Sequence, residues 1–183
     1  MSTIILLGKL VYFFLPAGVA NMAPVLLRNH FHSLARPVDG GRHFRGQPLF
    51  GDHKTWRGLI VATIAGGLMF EFERYLSLHV DVFSNFSPFA MNLFPLWFGF
   101  AFAAGAILGD LIKSFFKRRV HIASGATWFP FDQIDFLLGA SIVASVYVRF
   151  TAVMWLMIIA VGPIFHISVN RIAFWMKLKD TPW

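Results

Sequence analysis

Four polar side chains share one face of a predicted helix in the second half of the chain. Asp110, Lys113, Ser114 and Lys117 follow the spacing i, i+3, i+4 and i+7, which aligns side chains on an α-helix. The preceding stretch is apolar enough to cross a membrane, so Asp110 would lie at or inside the bilayer. Ionisable groups at that depth are costly and indicate function. A structural pairing of Asp110 with Lys113 or Ser114 is the alternative.

Two further carboxylates open the next predicted helix. Asp132 and Asp135 are three residues apart, so both project from the same side of a first helical turn. Helix capping explains Asp132 but not Asp135, which lies deeper towards the apolar run. Together with Asp110 they offer oxygen ligands for Mg²⁺ bridged to phosphates. The chain has no cysteine and no zinc-type histidine pair, so Mg²⁺ is the expected metal.

The polar loop between the first two apolar stretches is basic and rich in glycine. Its glycines let the backbone turn tightly and approach a ligand. Lys54, Thr55 and Arg57 lie at the mouth of the following helix, where free N–H groups and basic side chains favour phosphate. An ordinary basic loop with Trp56 as an interfacial anchor is the alternative.

The composition indicates which solvent surrounds these residues. The chain of 183 residues is 57% hydrophobic and only 14% charged, against roughly 25% charged in soluble domains. We therefore expect an all-α integral membrane protein, a single domain over residues 1–183. About five transmembrane helices are expected, at residues 4–27, 56–76, 89–112, 134–148 and 150–167.

The distribution of Lys and Arg predicts the orientation. Alternate connections are basic. In a protein of the cell (plasma) membrane this places the N-terminus outside the cell and the two polar loops in the cytoplasm. Those loops would form the active site. Nucleic acid is excluded as a partner because the basic residues are confined to short loops. In the first span, Pro16, Asn21 and Pro24 indicate either a packing kink or a cavity lined by Asn21.

This set of carboxylates and basic side chains favours transfer of a phosphoryl or nucleotidyl group. No nucleophile elbow, P-loop or dinucleotide fingerprint is present. Phosphoryl transfer needs mainly positioning and charge neutralisation, which carboxylates with Mg²⁺ and basic side chains supply. A membrane transporter for an anionic solute is the alternative, because broken helices and buried charge also serve transport.

At these residues the chain resembles the CDP-archaeol synthase family, a branch of the membrane cytidylyltransferases that includes phosphatidate cytidylyltransferase. Four stretches carry the resemblance, in the family's order. They are residues 15–25, Arg36-Pro-Val-Asp-Gly-Gly41, Gly51-Asp-His-Lys-Thr-Trp-Arg-Gly58, and Gly109 to Arg119 continuing to Asp132-Gln-Ile-Asp135. The wider signature has His-Gly-Gly before the aspartates, where this chain has Thr127-Trp-Phe-Pro130.

The resemblance implies that CTP and an isoprenoid ether lipid phosphate, or a phosphatidate-like lipid, give a CDP-activated lipid and pyrophosphate with Mg²⁺. The resemblance and the spacing of the residues together imply the following roles. The catalytic residues would be Lys117, Arg118, Asp132 and Asp135; the nucleotide contacts Asn21, Asp39, Lys54, Thr55, Arg57, Lys113 and Ser114; and the metal ligands Asp110, Asp132 and Asp135. The lipid chains would enter sideways between spans, along Phe-rich faces.

Overall fold

The structure, a computed structural model, describes residues 2–177; the end of the expected domain, residues 178–183, lies outside that range. Helices joined by loops make up the described chain. They are α1 (Thr3–Leu26), α2 (Trp56–His79), α3 (Phe98–Arg119), α4 (Phe131–Ala144) and α5 (Ala152–Trp175). A short antiparallel hairpin in the first loop consists of β1 (His43–Phe44) and β2 (Gln47–Pro48).

Local sequence signals explain where the helices begin. Ser2, Thr55 and Thr151 cap α1, α2 and α5, each hydroxyl accepting a hydrogen bond from a backbone N–H of the first turn, as N-cap residues do. Helix α4 follows Pro130 and carries Asp132 in its first turn, where a negative charge suits the helix dipole.

Helix α3 differs most from its predicted bounds. It begins at Phe98 rather than at residue 89, because a 3₁₀ turn at Met91–Leu93 and then Pro95 occupy the preceding stretch. It continues to Arg119 rather than ending at residue 112. The polar residues after Ile112 therefore extend the helix, and three cations in its last turn favour that C-terminus.

Within residues 2–177, three helical segments are long and apolar enough to cross a membrane: Thr3–Leu26, Phe98–Arg119 and Ala152–Ile172. Helix α4 has 14 residues, about 21 Å of rise against a hydrocarbon core of ~30 Å. Arg149 lies in the connection between α4 and α5, exposed. The all-α membrane architecture is confirmed, whereas the count of five crossings stays a prediction.

Aromatic rings fill the core between α1, α2 and α3. Phe13, Phe70, Phe98 and Phe102 are fully buried. Phe70 meets Phe98 edge-to-face with ring centroids 5.0 Å apart, and Phe13 meets Phe102 at 5.3 Å. Such edge contacts between rings add to the apolar burial, so this cluster anchors the three helices to one another.

Glycines bring α3 and α4 into backbone contact. A Cβ on Gly109 would lie 2.2 Å from the carbonyl oxygen of Asp135, and one on Gly139 would lie 2.1 Å from that of Gly105. No larger residue fits at either position without moving a helix. Small residues allow this close approach between membrane helices. We call this contact the glycine seam; it fixes Asp135 against the polar end of α3.

Candidate active site

The predicted site residues meet at one end of the bundle, where α1 and α3 end and α2 and α4 begin; we call it the site end. Lys113 lies at the centre. Its Nζ is 2.6 Å from Oδ1 of Asp132, 3.0 Å from Oδ1 of Asp110 and 3.0 Å from Oδ2 of Asp135. Carboxylates from two helices thus converge on a single ammonium group.

Further cations hold these carboxylates from the other side. Lys54, at the end of the first loop, donates to Oδ2 of Asp110, and Lys117 Nζ lies 3.1 and 3.0 Å from the two oxygens of Asp132. The N–H of Trp128 also donates to Asp132, at 2.5 Å. Charge-assisted hydrogen bonds of this kind are roughly twice as strong as neutral ones, so Asp110 and Asp132 are firmly placed.

The helical spacing explains why these groups face one another. Asp110, Lys113 and Lys117 lie on one side of α3, as i, i+3 and i+7 spacing predicts, and that side faces the first turn of α4. Ser114 lies beside them and is buried. The glycine seam sets the distance between the two helices, and therefore the distance at which Lys113 reaches Asp135.

A cavity of about 590 Å³ opens beside this cluster. Its volume lies within the range of small-molecule sites, about 300–1,000 Å³. Eight predicted site residues line it: Asn21, Lys54, Asp110, Lys113, Ser114, Lys117, Arg118 and Asp132. Pro16, by contrast, is buried with its carbonyl oxygen close to Gly66 of α2, so the proline-containing span packs tightly at one level and lines the cavity at another.

The carboxylates suit Mg²⁺ in their donor chemistry. Oδ2 of Asp135 is buried and accepts no hydrogen bond of good geometry, although the Lys113 ammonium is 3.0 Å away. Oxygen ligands are those that Mg²⁺ prefers. Within residues 2–177, however, no group of three or more His, Cys, Asp or Glu side chains is arranged to hold a metal ion. The ammonium of Lys113 stands between the carboxylates instead.

Three residues expected at the nucleotide hold the first loop together. Asp39 accepts hydrogen bonds from the N–H groups of Gly41 at 2.9 Å, Phe50 at 3.0 Å and Gly51 at 3.4 Å. Partial burial works to raise the pKa of the Asp39 carboxyl, but these backbone donors outweigh it and hold the pKa below its ordinary value. The loop is therefore built around a carboxylate that stays ionised.

Thr55 and Arg57 act in the same loop. The Thr55 hydroxyl accepts from the N–H of Gly58 at 3.2 Å, and Arg57 donates to the carbonyls of Arg28 and His30 at 2.5 and 3.3 Å. Neither residue lines the cavity described above, nor does Asp39. Lys54, which precedes Thr55 directly, does line it.

Sequence reasoning missed several polar residues of the cavity wall. Gln133 is buried, lines the cavity, and its Oε1 accepts no hydrogen bond. His166 and Asn170 of α5 line the same wall, joined by a hydrogen bond from the Asn170 amide to the His166 carbonyl at 3.0 Å. The sequence signal that could have identified them is the presence of polar residues inside an otherwise apolar span.

Arg119 was also missed. Its guanidinium donates to the carbonyls of Phe44 at 3.0 Å and Gln47 at 3.3 Å, and also to that of Pro48. It lies over the ring of Phe115, 4.6 Å from the centroid. One side chain at the end of α3 thus holds the hairpin of the first loop. The basic run at the end of α3 was visible in the sequence, but its contact with the hairpin backbone was not.

Comparison with known proteins identifies relatives across the whole chain. A family model described as CarS-like, CDP-archaeol synthase, matches residues 1–183. A CDP-archaeol synthase of Halorubrum lacusprofundi is 36% identical over 92% of this chain and 93% of its own. One of Thermococcus onnurineus is 32% identical over 94% of each chain.

The architecture matches as well. A solved structure, described as that of an intramembrane enzyme for archaeal membrane lipids biosynthesis, superposes with a TM-score of 0.70 and 30% sequence identity. The match covers 87% of this chain and 91% of the other. These relatives are enzymes by name, so the transporter alternative finds no support among them. The chain belongs to the CDP-archaeol synthase family.

Proposed function

We propose that this protein transfers the cytidylyl group of CTP to a membrane lipid phosphate, in a Mg²⁺-dependent step of phospholipid biosynthesis. The products are a CDP-activated lipid of the CDP-archaeol type and pyrophosphate. The observation that supports this most directly is the convergence of Asp110, Asp132 and Asp135 on Lys113 at the wall of a basic cavity. Membership of the synthase family supports the same substrates.

The cavity provides what a nucleoside triphosphate requires. Lys54, Lys117 and Arg118 line it and offset the negative charge of the triphosphate, which pre-arranged charged groups do more strongly than water does. The hydroxyl of Ser114 adds a hydrogen-bond donor on the same wall. The uncharged side chains of Gln133 and Asn170 on the cavity wall would contact uncharged parts of the nucleotide.

The reaction is a single displacement at phosphorus. An oxygen of the lipid phosphate forms a bond to the α-phosphorus of CTP, the bond from that phosphorus to the β-bridging oxygen breaks, and its electrons leave with pyrophosphate. A phosphate monoester has a second pKa of about 6 and is already largely ionised at neutral pH. No proton has to be removed by the protein, which accounts for a site of cations and carboxylates.

Asp110, Asp132 and Asp135 would hold Mg²⁺, whose charge would offset that of the phosphates. Lys113 and Lys117 keep Asp110 and Asp132, which line the cavity, in place. CTP is a soluble nucleotide, so the site end would lie on the cytoplasmic side of the cell membrane. The N-terminus would then lie outside the cell.

The first test is pyrophosphate release by the purified protein in detergent with Mg²⁺, across four nucleotides and two lipid phosphates, one isoprenoid ether and one diacyl. We expect release with CTP, and with one lipid phosphate in preference to the other. Omission of Mg²⁺ should abolish it. Absence of release with every pair, in folded protein, would contradict the proposed function and return anionic-solute transport to consideration.

A further inference from the structure

A second cavity, an apolar groove of about 580 Å³, runs along the outside of the glycine seam between α3 and α4. Its walls include Leu108 and Ile112 from α3 and Leu138 and Ile142 from α4, and its floor includes Gly109. Because glycine has no side chain, the groove is lined by bare backbone at this position. The sequence predicted that lipid chains lie along Phe-rich faces; Phe116 and Phe131 line this groove, whereas Phe13, Phe70 and other phenylalanines fill the core.

The groove is open to the side of the bundle. Leu108 is 52% exposed, Ile112 58% and Ile142 67%. In a membrane-embedded protein these apolar walls face hydrocarbon rather than water. The groove extends along α3 from Gly105 to Val120, which corresponds to about 22 Å at ~1.5 Å per residue.

The groove and the charged cavity share one lining residue. Lys113 lines both. Asp135 lines the groove; its side chain is only 6% exposed, and its Oδ2 lies 3.0 Å from the Lys113 ammonium. Asp132, 2.6 Å from the same ammonium, lines the cavity. A membrane-facing groove and an aqueous cavity thus approach Lys113 from opposite sides of the seam.

We propose that the groove holds a hydrocarbon chain of the acceptor lipid phosphate, with the phosphate at Lys113 and the chain along the seam towards Gly105. This inference rests on the proposed function. Charge complementarity commits the groove to an anionic lipid. The cavity that shares Lys113 with the groove is lined by the cations Lys54, Lys113, Lys117 and Arg118 and by the carboxylates Asp110 and Asp132. With Asp135 of the groove included, the junction keeps a net positive charge, which matches a phosphate attached to a chain. The two substrates therefore enter separately, CTP from the cavity and the lipid from the bilayer.

Bulky substitutions in the half of the groove between Lys113 and Gly105 test this proposal. Leu108→Trp and Ile142→Trp fill the groove at exposed positions that tolerate a larger side chain. Leu68→Trp is the matched control, because Leu68 is a 59% exposed residue of α2 outside the groove. Each variant is assayed in mixed micelles for the KM of a long-chain lipid phosphate, of a short-chain analogue whose chains end before Leu108, and of CTP.

We expect both groove variants to raise the KM for the long-chain acceptor about tenfold, equivalent to ~1.4 kcal/mol. The KM for CTP and for the short-chain acceptor should match the control. Equal KM values for the long-chain acceptor in groove and control variants would overturn the groove proposal while leaving the proposed function intact. An inactive wild-type protein would instead refute the proposed function.

Binding gives a readout that does not depend on turnover. A lipid phosphate carrying a photoreactive diazirine near the end of one chain should label peptides of α3 and α4 around Leu108 and Ile142. Excess unlabelled lipid phosphate should compete, and the corresponding neutral alcohol should not. Labelling that both compounds displace equally would show that the groove takes bulk membrane lipid only and would overturn the proposal.

Discussion

Lys113 is the residue on which the site depends most. Its ammonium lies within 3.0 Å of oxygens from Asp110, Asp132 and Asp135, so it offsets the repulsion among carboxylates that are mostly buried. Removal of one partner from a buried ion pair costs about 3–5 kcal/mol, because a charge is left uncompensated. Lys113 is therefore needed for the arrangement itself, in addition to the phosphate binding proposed for it.

Asp135 offers a more selective test than Lys113. In Asp135→Asn the side chain keeps its size but loses its charge, so we expect transfer to fall about a hundredfold, as for loss of one electrostatic group in a site. The Mg²⁺ concentration for half-maximal rate should rise. Pyrophosphate release across a Mg²⁺ titration measures both. Asp81→Asn, an exposed carboxylate at the opposite end of α2, is the control, and a normal rate and Mg²⁺ response in Asp135→Asn would remove that residue from the metal site.

At this scale, spacing within a helix was the reliable signal. Asp110, Lys113 and Lys117 lie together because i, i+3 and i+7 spacing requires it once the helix forms. Asp39 and Arg57 were assigned to the nucleotide from the family motifs that contain them, whereas their partners in the structure are backbone groups of the first loop and its flanks. Loop geometry has no fixed period, so the sequence did not reveal those contacts.

The pairing of α3 with α4 is the element that brings the two halves of the site together. Their backbones touch at Gly105, Gly109 and Gly139, and the polar ends of both helices follow directly. The sequence predicted both helices but placed α3 from residue 89 to 112, because the apolar stretch before Pro95 resembles a continuous span. A 3₁₀ turn depends on tertiary contacts that hydropathy does not report.

The glycine seam gives a direct prediction. In Gly109→Ala the new Cβ would lie 2.2 Å from the Asp135 carbonyl oxygen, so α3 and α4 must separate, at a cost of about 1–3 kcal/mol typical of overpacking. We expect a lower thermal unfolding temperature in detergent and weaker transfer activity. Gly8→Ala is the matched control, because nothing lies within 4 Å of the Cβ position on that helical glycine of α1. An equal unfolding temperature for the two variants would contradict the seam.

Arg119 couples the first loop to α3. In Arg119→Ala the hairpin loses all its contacts with that guanidinium, so we expect faster protease cleavage within residues 43–48. The KM for CTP should rise about tenfold, ~1.4 kcal/mol, comparable to one hydrogen bond. Arg119→Lys should not restore it, because an ammonium lacks the planar fork. Arg42→Ala, which removes an exposed cation from the same loop, should behave as wild type; unchanged cleavage in Arg119→Ala would refute the coupling.

Across the whole molecule, the packed aromatic core and the charged site residues occupy different regions. The aromatic cluster of Phe13, Phe70 and Phe102 lies between α1, α2 and α3, and the charged groups lie at the site end. The family and the all-α membrane class were predictable from sequence, because composition and motif order extend over the whole chain. The polar wall from α5 was not, since it depends on how the last helix packs.

The orientation can be tested on the intact protein because the chain contains no cysteine. A single cysteine introduced at Arg42 in the first loop, or at Asn85 in the connection between α2 and α3, becomes a unique label site; both positions are exposed. With the site end in the cytoplasm, a membrane-impermeant maleimide should label Asn85→Cys in intact cells. Arg42→Cys should react only after permeabilisation. The reverse pattern would invert the proposed orientation.

The sideways opening of the α3–α4 groove affects how the lipid arrives and leaves. Each methylene group moved from hydrocarbon into water costs about 0.8 kcal/mol, so lifting a long chain out of the bilayer to meet a soluble nucleotide would be prohibitive. A lateral opening removes that cost, because acceptor and product exchange with the membrane by diffusion in its plane. On the proposed assignment of the groove, only the headgroup crosses the interface.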